Sequence, residues 1–172
     1  MKIRLLPFLF IILTVFSCQK DIEYLEPGTD GKGGATVTNL EGTKWRVTSM
    51  ILGQEVSGVK SEADLFLIAE SCSKDDIVYF NAGGNFIYDE GPTKCDPNDP
   101  QQETGSWSLS GDKKKLTLTS GIINNSDSPI IYEVAIVNKK LTLTYKETIT
   151  VPNPAGGNVQ MTIYTIMGFT PF

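Results

Sequence analysis

The sequence predicts an all-β fold: an eight-stranded antiparallel up-and-down β-barrel with one short helix near the N-terminus of the domain. Three observations predict it. Eight runs rich in Val, Ile, Thr, Tyr, Phe and Trp follow one another between Lys44 and Phe169, several with period-two alternation. Most are joined by short turns carrying Gly, Asn, Asp or Pro. Few gaps are long enough for a βαβ crossover, so successive strands run antiparallel, and closure removes the sheet edges. Two stacked sheets are the alternative architecture.

The first predicted strand is Lys44–Ile51, with Trp45, Val47 and Ile51 on one face and Arg46 and Thr48 on the other. Gly53 and Gly58 then break the pattern. Ser61-Glu62-Ala63-Asp64 is close to a capping box, and Leu65, Ile68 and Ala69 follow at helical spacing, which predicts a helix over 61–70. Leu65-Phe66-Leu67-Ile68 also fits a buried strand, so that reading stays open. Ile77–Phe80 and Asn85–Asp89 flank Gly83-Gly84, a hairpin signal. A polar loop with Pro92, Pro97 and Pro100 leads to Gly105–Ser110, where Trp107 and Leu109 share a face. Lys115–Ser120 alternates as Leu-Thr-Leu-Thr, and Ile130–Val137 is almost wholly apolar. Asn138-Lys139-Lys140 turns the chain into Leu141–Thr150, and Pro152–Gly157 turns it into Asn158–Phe169.

Residues 1–17 read as a signal peptide. Lys2 and Arg4 precede an apolar run from Leu5 to Phe16 that is too short to span a bilayer. Val15-Phe16-Ser17-Cys18 resembles the bacterial lipobox, which implies cleavage before Cys18 and acylation of its thiol. More than one acyl chain makes such an anchor stable, so the chain is expected to be held to a membrane by N-terminal acyl chains without spanning it. Gln19-Lys20-Asp21-Ile22-Glu23 resembles the signal that sends Gram-negative lipoproteins to the outer face of the outer membrane; a plain polar spacer is the alternative. Residues 18–39 then form a tether with Pro27-Gly28, Asp30-Gly31 and Gly33-Gly34, a flexible chain reaching roughly 25 Å. Residues 40–172 form the folded domain.

Composition narrows the function. Among 172 residues there is no histidine, which removes the commonest general base, the Ser-His and Cys-His pairs, and most transition-metal sites. A non-enzyme without cofactor is expected. The net charge is −5, and loss of the leader removes two cations and no acid. Dispersed acids on such a chain leave no footprint for nucleic acid. With Cys18 acylated, Cys72 and Cys95 remain, and a pair in an exported domain reads as a disulfide clasping the Gly83-Gly84 hairpin. Asp96-Pro97-Asn98-Asp99, with Asp75 and Asp76, is the one oxygen-rich cluster and lacks EF-hand spacing; no metal is expected.

Several pieces in order resemble the lipocalin-like domain of small bacterial lipoproteins. They are Thr43-Lys44-Trp45-Arg46-Val47, Cys72-Ser73-Lys74-Asp75-Asp76, Gly83-Gly84-Asn85-Phe86, Cys95, Gly105-Ser106-Trp107-Ser108-Leu109 and Leu116-Thr117-Leu118. The resemblance implies a barrel with a cup and names no ligand. Trp45 reads as a plug at the barrel bottom; together with Phe80, Phe86, Trp107 and Tyr132 it is also a candidate to line a cavity, and Tyr79, Tyr88 and Tyr145 are further aromatics of that kind. Two functions follow. The cup holds a small hydrophobic or glycan ligand, or the barrel is filled and acts as a structural or interaction module of the envelope, its protein partner unknown.

Overall fold

The computed structural model describes residues 40–121, 126–153 and 155–172. The expected leader, Cys18 and the expected tether up to residue 39 lie outside the described residues. Nine strands occur among the described residues: β1 (Lys44–Val56), β2 (Val59–Asp64), β3 (Ile77–Asn81), β4 (Asn85–Asp89), β5 (Gln102–Leu109), β6 (Lys115–Ser120), β7 (Ser126–Val137), β8 (Lys140–Pro152) and β9 (Asn158–Pro171). The α-helix α1 (Leu65–Ile68) and two short 3-10 turns lie between strands among the described residues.

All strand pairings are antiparallel. β1 pairs with β3, each strand from β3 to β9 pairs with the next, and β9 returns to β1. That ring of eight is the barrel expected from the sequence. β2 is a ninth strand outside the ring.

The region after β1 differs from the expected helix over 61–70. Ser57 and Gly58 both have positive φ (51° and 81°), the geometry of a two-residue hairpin turn. The hairpin folds Val59–Asp64 back along Ile51–Val56 as β2, and the ladder it gains outweighs a marginal helix nucleus. Helix survives only over Leu65–Ile68, capped by Asp64, whose Oδ1 accepts from the Phe66 N–H at 3.0 Å. Gly53 does not break β1. The ring of Tyr164 on β9 lies across it, where a Cβ would collide, and the Tyr164 hydroxyl donates to Glu62 on β2.

Strand length divides the barrel along its axis. β1 meets β3 only over Lys44–Arg46, then exchanges that neighbour for β2 from Ile51 onward. β7 and β8 are laddered from Val137/Lys140 to Glu133/Thr144 and no further. β8 and β9, by contrast, stay paired from Leu141/Phe169 to Pro152/Asn158. The second half of β1, with β2, β8 and β9, therefore continues as a ribbon beyond the point where β3 and β7 leave it. A register shift between Val47 and Ser49 places a bulge in β1, so Met50 and not Ile51 follows Val47 on the inner face, opposite Met167.

The core is one cluster. Leu116 and Leu118 of β6, Tyr132, Val134 and Ile136 of β7, and Leu141 and Leu143 of β8 are buried at alternate positions. That alternation resolves the apolar run of β7: its odd residues Ile131 and Val137 face outward. No helix among the described residues is long and apolar enough to cross a membrane.

Candidate functional site

The two ends of the barrel interior are built differently. At the end of the β3–β4 hairpin the interior is filled. Phe80 packs on Phe86 with ring centroids 5.4 Å apart, and on Trp107 edge-on at 5.5 Å. Trp45 is buried beside them, its indole N–H donating to the carbonyl of Leu40 at 3.3 Å. The Trp107 indole donates to the Asn81 carbonyl at 3.0 Å. The chain before β1 closes this end: the Gly42 N–H donates to the Phe80 carbonyl at 2.9 Å, and Leu40 is buried.

The other end holds a cavity of about 430 Å³. Barrel strands supply Val47 and Met50 from β1, Val78 from β3, and Thr165, Met167 and Phe169 from β9. Tyr88, Ile130, Tyr132 and Tyr145 come from β4, β7 and β8. Leu65 and Phe66 of α1 cover it, with Ala69, Ser73 and Asp76 from the segment leading into β3. It sits where β7 and β8 part, with Tyr132 and Tyr145 edge-on across the parting at 6.3 Å.

Of the five aromatics expected along a cavity, Tyr132 lines it. Trp45, Phe80, Phe86 and Trp107 do not: they pack against one another in the core at the hairpin end. Tyr88 and Tyr145 line it as well, whereas Tyr79 lies under the Lys44 ammonium at 5.2 Å. A covering helix is expected over 61–70, but Leu65 and Phe66 are not among the expected lining residues, because their stretch suits helix or strand equally.

Cys72 and Cys95 are joined, with an S–S distance of 2.02 Å. The bond pins the 3-10 turn Ser71–Lys74, which carries Ser73 into the cavity wall, to the loop before β5. Glu70, Cys72 and Cys95 form the one metal-like cluster among the described residues, but both sulfurs are committed to the disulfide. The oxygen-rich loop closes on its own cation: the Lys94 ammonium donates to the carbonyls of Pro97 (2.9 Å) and Asp99, and Asp96 Oδ1 accepts from the Asn98 N–H at 2.8 Å.

Asp76 is the charged residue of the cavity wall, only 7% exposed. Tyr88 donates its hydroxyl to Asp76 Oδ2. Burial raises the Asp76 carboxyl above the usual carboxylate range; the Tyr88 hydrogen bond opposes the rise, and the charges of Asp75, Glu90 and Asp89 add to it. Burial, and then donation to Asp76, also pushes the Tyr88 phenol far up. Asp89 is moved upward by burial and downward, decisively, by hydrogen bonds from Gln102, Gln101 and the Gly91 N–H.

A family model describing a lipocalin-like domain matches residues 40–143. The chain belongs to the lipocalin-like domain family. The match ends within β8, and in this lipocalin-like barrel β9 is the strand that completes the ring. No curated protein and no solved structure matches the chain.

Tyr132 gives the lipocalin-like domain an alkaline limit. Burial holds the neutral phenol and pushes it from the ordinary 10.0 up to about 12. Between those values the folded state keeps a proton that the unfolded chain gives up, so stability is intact below pH 10 and falls as pH rises toward 12. The loss from this group is about 2 kcal/mol at pH 12, and Tyr88 acts in the same direction. Urea unfolding at pH 8, 10 and 11.5 measures it. Tyr132→Phe should flatten the fall; an unchanged slope would show that Tyr132 ionises freely in the folded state.

Proposed function

We propose that this lipocalin-like protein is a membrane-anchored extracytoplasmic binding protein whose cavity holds a small, mainly apolar molecule. The observation that carries the reading is the cavity itself. Its volume of about 430 Å³ falls within the range of small-molecule sites, and its wall is mostly aliphatic and aromatic with a few polar groups. That wall suits a hydrophobic ligand better than a glycan, which needs hydrogen-bond partners along its whole length. Anchoring rests on the sequence: the lipobox-like Val15-Phe16-Ser17-Cys18 supports acyl chains on Cys18, and Gln19-Lys20-Asp21-Ile22-Glu23 supports placement at the surface of a Gram-negative outer membrane.

Native mass spectrometry of the chain purified without denaturant tests both parts. The expected spectrum contains a species with extra mass that leaves on denaturation, and acyl chains that stay on Cys18. A bare protein mass after exposure to envelope lipids would favour the filled, partner-binding module over the cup.

A further inference from the structure

We propose that the cavity selects its ligand by head-group charge, accepting a protonated amine on an apolar body and rejecting carboxylates and phosphates, with Asp76 as the deciding residue. The proposal rests on the binding reading above and adds the chemical class of the ligand.

Among the described residues of the wall Asp76 is the one carboxyl, and no lysine or arginine is among them. Lys74, on the turn that carries Ser73, is already engaged: its ammonium donates to the Leu67 carbonyl at 3.4 Å and lies 5.7 Å from the centre of the Phe66 ring. Arg46 stacks on Phe172, 3.8 Å from the ring centre, and Lys44 lies over Tyr79. A carboxylate head placed in this cavity therefore meets Asp76 with no cation beside it, in a setting where water screens the repulsion poorly. Asp75, Asp89 and Glu90 deepen the negative potential around Asp76.

An ammonium or hydroxyl head meets the opposite conditions. Tyr88 occupies Asp76 Oδ2, while Oδ1 makes no hydrogen bond with the described residues and is the acceptor a donor head requires. Tyr88, Tyr132 and Tyr145 line the same space, and aromatic rings tolerate a cation better than an anion. Asp76 is also held firmly. Its carbonyl accepts from the Val47 N–H at 3.3 Å, β3 begins at the next residue, and the disulfide fixes the turn before it. A positioned acceptor loses little freedom on binding.

Octylamine, 1-octanol and octanoate share one body and differ in the head, so calorimetric titration of each at pH 7 reads the selection directly. The protein is the chain from residue 18 onward with Cys18→Ser, free of acyl chains. The expected order is amine, then alcohol, then carboxylate, with the amine at least about tenfold tighter than octanoate. Asp76→Asn should bring amine and octanoate within about twofold of each other while octanol stays within about threefold of the parent, which also shows that the variant is folded. Octanol binding with octanoate equal to or tighter than octylamine overturns the charge proposal alone and points to Lys74. An Asp76→Asn variant that still prefers the amine overturns it too. Binding of none of the three overturns the cup reading and this proposal with it.

Discussion

Phe80→Ala is expected to lower the unfolding free energy by about 3–5 kcal/mol, enough to leave a domain of this size partly unfolded at ordinary temperature. Phe80 is fully buried where three elements meet. It stands directly opposite Phe86 across the β3–β4 ladder, and Trp107 of β5 packs edge-on against it. The residues preceding β1 rest on it as well, through the Gly42 N–H on its carbonyl and a backbone bridge from Glu41. Removing the ring leaves a void that rigid strand backbones cannot fill, so the cavity cost adds to the lost burial. Urea unfolding of parent and variant measures it. A loss below about 1 kcal/mol would mean that this end of the barrel collapses around the gap and is less tightly built than its geometry shows.

Cleaving the Cys72–Cys95 bond is expected to cost about 3 kcal/mol, because a loop of 23 residues regains its freedom in the unfolded chain. The effect should be the same for reduction of the parent as for the double variant Cys72→Ser, Cys95→Ser, measured in parallel unfolding curves. The bond also fixes the turn that carries Ser73 and leads into Asp76, so the reduced protein should lose ligand affinity before it loses secondary structure. Equal midpoints with and without reductant would show that the β3–β4 ladder, together with the Thr93 N–H on Asp75 Oδ2, already holds this segment in place.

The strands, their antiparallel order and the disulfide were legible because each leaves a local mark: alternation in Leu116-Thr117-Leu118-Thr119, turn glycines at 83 and 84, and a lone pair of cysteines around one hairpin. Depth along the barrel left none. Period two tells which face a side chain takes but not how far along the axis it sits, so Phe80 and Tyr132 looked equivalent although one plugs the barrel and the other lines the cavity. The bulge at Thr48 exchanged Ile51 for Met50 on the inner face, and no residue type near it announces a bulge. Gly53 read as a break because a glycine that admits a distant tyrosine ring is indistinguishable, in sequence, from one that turns the chain. β2 was masked by a capping-box pattern whose serine lies in the strand, one turn ahead of the aspartate that caps α1.

Because Leu40 is buried beneath Trp45, the polypeptide joins the barrel at its plugged end, with the cavity at the other. This gives the domain a handle and an aperture at opposite poles. A pull on the residues before Leu40 would load the aromatic plug first, not the wall of the aperture.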